Sequence, residues 1–92
     1  MEVLLDGSMM VNREVLHDLL VEKLELPDYY GRNLDALYDA LSECRKDLNI
    51  RIIHADMMLA YLGNYGNALL RTLSDASRAF ANVDFSVSNE II

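Results

Sequence analysis

The stretch Leu26-Pro27-Asp28-Tyr29-Tyr30-Gly31-Arg32-Asn33-Leu34-Asp35-Ala36-Leu37-Tyr38-Asp39 changes character halfway along. Pro27 disfavours helical geometry at Leu26, and the aromatic pair followed by Gly31 reads as a loop. Asn33 then offers a side-chain oxygen to the free amides of a new helix. Leu34, Leu37, Tyr38 and Leu41 recur on one face of that helix. Away from them, Asp35, Asp39 and Glu43 fall at i, i+4 and i+8 and form one acidic stripe. Like charges at this spacing cost only about 0.2–0.5 kcal/mol per pair, and the positive end of the helix dipole favours Asp35, so the stripe is easily tolerated.

Working back towards the N-terminus, Val15, Leu16, Leu19, Leu20 and Leu24 lie at helical spacing behind Asn12, a second N-cap. Val3-Leu4-Leu5, closed by Asp6-Gly7, reads as a buried strand followed by a turn. In the other direction, Ile50-Arg51-Ile52-Ile53-His54 is β-branched and predicts a second, mostly buried strand. Asp56 to Leu62 predicts a short helix ended by Gly63. Leu69, Leu70, Leu73, Ala76 and Phe80 define a longer helix from about Tyr65 to Ala81, exposing Arg71, Ser74, Asp75 and Arg78. Val83, Phe85 and Val87 alternate as a third strand, and Ser88 to Ile92 reads as a loose end. The order β-α-α-β-α-α-β predicts an α/β fold: a small three-stranded parallel sheet with right-handed connections and most helices packed against it. No linker or repeat divides the chain, so one domain over residues 1–92 is expected.

Eight Lys+Arg against fifteen Asp+Glu leave a formal charge of −7, with a pI near 4.5. That charge argues against nucleic acid and anionic membrane as resting partners and favours a basic one. Cys44 is the single cysteine, so no intramolecular disulfide or multi-cysteine metal site can form. With no basic-then-apolar leader and no apolar run of roughly 20 residues, a cytoplasmic, soluble protein is expected, monomeric when free. Gly7, Gly31, Gly63 and Gly66 make no phosphate-cradling motif, and HExxH, GxSxG and CxxC are absent. Neither enzyme activity, nor a cofactor, nor a resident metal is expected. His17 reads as a solvated helix position, and His54 as a strand-end hydrogen-bonding group.

Three readings of the acidic stripe stay open on charge alone: a solvated face, a divalent-metal site, or a surface for a cationic partner. A metal-dependent enzyme built on Asp35, Asp39 and Glu43 is disfavoured, because three carboxylates along one helix lack a convergent ligand from another element. Tyr29, Tyr30 and Tyr38 shift the balance towards a partner surface, since tyrosines beside unpaired carboxylates supply rigid, half-apolar contact area. Tyr30 is the one of the three expected to pack into the core. Cys44 reads as a packing or rim residue, with no base beside it to make a nucleophile.

Residues 26–39 also resemble the barstar family of intracellular ribonuclease inhibitors, following its pattern Leu-Pro-x-Tyr-Tyr-Gly-x-Asn-Leu-Asp-Ala-Leu-aromatic-Asp. The resemblance implies a non-enzymatic protein that plugs the active site of a small basic ribonuclease. By position it implies that Asp39 enters the phosphate-binding pocket of a basic extracellular-type ribonuclease or related toxin nuclease, with Asp35 in support one turn earlier. Tyr29 and Tyr38 would pack at the interface, Asn33 would add a polar contact, and Asp75 matches a peripheral acidic position. Glu43, which replaces a small residue of the family pattern, lies on the same acidic stripe. The best-known family surface has tryptophan where Tyr38 and Cys44 stand and glutamate where Ala79 stands, and Arg45-Lys46 adds two cations beside the stripe. An alternative consistent with those departures is an acidic interaction or immunity module aimed at another toxin nuclease or a regulatory partner.

Overall fold

Two asparagines start the helices that frame the loop. In the computed structural model, which describes residues 1–89, Asn12 Oδ1 accepts from the Val15 amide at 2.9 Å and opens α1, Arg13–Leu24. Asn33 Oδ1 accepts from the Ala36 amide at 2.7 Å and opens α2, Leu34–Glu43. Helix α1 ends at a left-handed Glu25, ahead of Pro27. Before it come strand β1, Glu2–Asp6, and a 3-10 turn at Gly7–Met9. The order continues with β2, Leu48–Ile53, α3, Ala55–Leu62, α4, Asn64–Ala79, and β3, Val83–Val87.

The three strands form one parallel sheet in the order β1-β2-β3, with Val3 opposite Ile50 and Ile50 opposite Phe85. The α/β class expected from the sequence is the observed one. The last long helix stops at Ala79 rather than Ala81, because Phe80 turns extended and its amide closes on the Ala76 carbonyl.

The strand Val3-Leu4-Leu5 is not wholly buried as expected. Val3 and Leu5 are in the core, whereas Leu4 is 51% exposed. Successive side chains of a strand point to opposite faces, and the described residues cover one face of this sheet. That face carries Val3, Leu5, Leu48, Ile50, Ile52 and Val83, while Glu2, Leu4, Asn49, Arg51, Asp84 and Ser86 face outward. Leu16 and Leu20 of α1, Leu37 and Leu41 of α2, and Leu69 and Leu73 of α4 complete the core. Each such side chain contributes about 1.5–3 kcal/mol by leaving water. Helix α2 is thereby held by its leucines with its acidic side outward.

The expected loose end is tied down at its start. Ser88 donates to the Ile52 carbonyl at 2.9 Å and accepts from the Ala55 amide at 3.1 Å, and Asn89 Oδ1 accepts from the Asp56 amide at 2.9 Å. The rest of that segment, 90–92, lies outside the described residues. Among the described residues no helix is long and apolar enough to cross a membrane.

Candidate functional site

The α1–α2 loop sorts its two tyrosines to opposite sides. The Tyr30 amide closes a turn on the Pro27 carbonyl at 3.0 Å, which turns the ring of Tyr30 inward (8% exposed) and leaves Tyr29 87% exposed. Arg32 adopts a left-handed backbone with φ of 55°, and Asn33 follows as the cap of α2. The Asn33 side chain works within the loop, its Oδ1 on the Ala36 amide and its Nδ2 donating to the Gly31 carbonyl at 3.3 Å.

His17 is not solvated as expected; it is 2% exposed. Its ring sits between two phenols, with Nδ1 2.9 Å from Tyr30 Oη and Nε2 2.8 Å from Tyr65 Oη. Tyr30 gives its hydroxyl proton to the Asn33 carbonyl at 3.4 Å, so it accepts from Nδ1–H, and Nε2 accepts from Tyr65. A neutral imidazole with its proton on Nδ1 satisfies the whole chain. Burial pushes the Tyr30 phenol up to about 12, with Tyr65 adding and Arg32 opposing. Burial raises Tyr65 as well, against the pull of Arg13, whose guanidinium lies 4.1 Å from the centre of the Tyr65 ring. His54 stands directly after β2 as a left-handed residue at the start of α3, where its hydrogen bonding is through the backbone: its carbonyl accepts from the Met57 and Met58 amides and its side chain makes no cap.

Burial, and then the neighbouring Arg32 cation, hold His17 below its ordinary value of 6.5, with Asp18 pulling the other way. The unfolded chain therefore takes up a proton near pH 6.5 that the folded chain refuses. The stabilisation from neutral His17 is complete above that pH, falls as pH drops towards the lower folded value, and levels off beneath it. The slope in that window is up to about 1.4 kcal/mol per pH unit. Urea unfolding at pH 7.5, 6 and 5 checks this: His17→Gln should start less stable and lose less on acidification, whereas parallel losses would remove His17 as the source.

Asp35, Asp39 and Glu43 are all exposed on α2, and none is in an ion pair among the described residues. Tyr38 is half-buried against Phe80, ring centres 5.1 Å apart, which fixes its ring at the α2–α4 junction. Asp75, on α4, is already engaged by Arg78 at 2.7 Å. An open groove of about 450 Å³ runs beside α2 and brings together Tyr29, Asp39 and Glu43; Asn33, Asp35, Tyr38 and Asp75 are not among its lining residues. Leu24, Leu26, Leu41 and Leu48 contribute its apolar lining, and Cys44, half-buried, joins the rim. Sequence reasoning missed Glu25, which also lines the groove and pairs with Lys46 at 3.3 Å. A left-handed residue ahead of Pro27 carries no signal of a partner 21 residues away. No group of three His, Cys, Asp or Glu side chains able to hold a metal occurs among the described residues.

Asp35, Asp39 and Glu43 thus form one exposed row along α2 of an α/β scaffold, near the exposed Tyr29, a surface suited to a cationic protein partner. The chain belongs to the barstar family, since the family model described as "Barstar (barnase inhibitor)" matches residues 1–90. That family is defined by inhibition and not by catalysis. The chain is also 40% identical over 77 residues to a Bacillus subtilis (strain 168) protein described as "Putative ribonuclease inhibitor YrdF", covering 82% of this chain and 84% of that one.

Proposed function

We propose that this protein inhibits a small basic ribonuclease of the barnase type by seating α2 and the loop before it in the enzyme's active site. The observation that carries the reading is the exposed row Asp35, Asp39 and Glu43, left without an ion pair among the described residues. A carboxylate offers arginine a planar bidentate acceptor much as a phosphate does, and it cannot be cleaved. Asp39 is the residue proposed to enter the phosphate pocket, with Asp35 behind it and Tyr29 and Tyr38 packing at the sides. Asn33 shapes the loop and adds a polar contact, and Glu43 and Asp75 extend the acidic field. A net charge of −7 speeds encounter with a basic enzyme.

The whole chain acts as one unit in this reading, monomeric when free, in the cytoplasm, where it protects its host from a ribonuclease made for export. A second target class is favoured by Arg45 and Lys46, which line the same groove as Asp39. Those cations tune the module towards a nuclease whose rim is less uniformly basic. Titrating the protein into barnase, with RNA cleavage as the readout at low and high salt, tests the proposal. Stoichiometric inhibition that weakens with salt is expected. No inhibition of barnase or similar basic ribonucleases would move the target to another toxin nuclease.

A further inference from the structure

We propose that Arg32 is a positioning residue, clamping the loop that carries Tyr29 and Asn33 onto α1 so that the binding face is ordered before a partner arrives. The inference deepens the inhibitor reading and rests on it. Arg32 is the only cation between Glu25 and Cys44, a stretch that carries Asp28, Asp35, Asp39 and Glu43. Left free beside Asp35, it would neutralise the field that attracts a basic enzyme. Its left-handed backbone, φ 55°, accompanies a side chain that bonds back to α1. There Nη2 donates to the Asp18 carboxylate at 2.7 Å and to the Glu14 carbonyl at 3.0 Å, two acceptors one turn apart.

Tyr30 is bonded to His17 on the same helix at 2.9 Å, so the loop meets α1 at residues 14, 17 and 18. One anchor is buried and one is at the surface, with Gly31 between them. A solvent-exposed ion pair alone contributes little. Here the second acceptor is a backbone carbonyl, and the strained φ would not persist in a loop free to relax. Holding the loop in its binding shape removes an ordering penalty from association.

The test compares wild type with Arg32→Ala, Arg32→Lys, Asp18→Asn and the double variant Arg32→Ala/Asp18→Asn. The first readout needs no partner: hydrogen exchange of the Tyr30 amide, bonded to Pro27, and the Ala36 amide, bonded to Asn33, in the free protein. Exchange is expected to quicken about three- to tenfold in Arg32→Ala and in Asp18→Asn, with no further gain in the double variant. Arg32→Lys should recover part of the protection. The second readout is binding to barnase. Arg32→Ala makes the protein more acidic and Asp18→Asn less so, so steering alone would strengthen one complex and weaken the other; the clamp weakens both.

Unchanged exchange in both single variants, or binding shifts of opposite sign that follow charge, would overturn the clamp. If barnase is bound by none of the proteins, the inhibitor reading fails on its own, and exchange still decides whether Arg32 holds the loop.

Discussion

Replacing Asp39 with alanine is expected to weaken inhibition of a barnase-type ribonuclease by about 30-fold to several thousand-fold, the equivalent of about 2–5 kcal/mol. The range is that for truncating one member of a buried, hydrogen-bonded charge pair, and it draws in part on measurements of the barnase–barstar complex itself, so its size is inherited from the family. The cause is asymmetric. The enzyme's cations remain desolvated against the inhibitor while their acceptor has gone. Asp39 fits this role because its carboxylate is exposed, borders the groove beside Tyr29, and is in no ion pair among the described residues.

Stability should move the other way. Removing Asp39 relieves repulsion with Asp35 and Glu43, worth about 0.2–0.5 kcal/mol per pair, so the variant should melt at or slightly above the wild type. Asp75→Ala is the control: its carboxylate is paired to Arg78, and its loss should change inhibition by less than about fivefold. Inhibition constants from RNA cleavage, read beside thermal melts, separate these outcomes. Equal and small losses for both variants would place the contact elsewhere on the molecule.

The parts of this fold that were legible in the sequence are those set within a few residues. Asn12 and Asn33 cap helices because each cap is closed by an amide three residues on. Tyr30 was expected in the core and is there, and the three strands fall where β-branched and alternating residues put them. The acidic row on α2 was legible because helical periodicity alone aligns Asp35, Asp39 and Glu43. What was missed depends on contacts between distant residues. His17 is drawn inside by phenols 13 and 48 residues away, which no local pattern encodes. Leu4 faces outward because the helices are laid over the opposite face of the sheet, a property of their packing and not of the Val-Leu-Leu run. Arg32 carried no assigned role in the sequence, because its partners Glu14 and Asp18 lie 18 and 14 residues away on α1.

Gly7→Ala is expected to damage the fold severely, destabilising it by about 3 kcal/mol or more and lowering Tm by about 12 °C or more. A methyl group at this buried position would lie 2.2 Å from the His54 carbonyl oxygen and 2.9 Å from that of Ile53. Both are backbone atoms at the β2–α3 junction, so no side-chain rotation can make room. The chain on the other side is equally fixed: Asp6 pairs in register with Ile53, and its carboxylate accepts from the Ser8 amide at 2.9 Å and the Ser8 hydroxyl at 2.7 Å. Relief would require β1 to separate from β2 or the 3-10 turn to unwind. Gly63→Ala is the informative comparison, because nothing lies within 4 Å of its added carbon and only the left-handed φ of 57° is strained. With ψ at −130° the conformation is one that favours glycine, and that variant should lose about 1–3 kcal/mol, less than the Gly7 change. Thermal melts of the two variants check the order; a Gly7→Ala protein melting within about 3 °C of wild type would mean that the strand junction can open without loss. Since neither glycine touches the acidic row, inhibition per folded molecule should persist in both at low temperature, which separates damage to the scaffold from damage to the site.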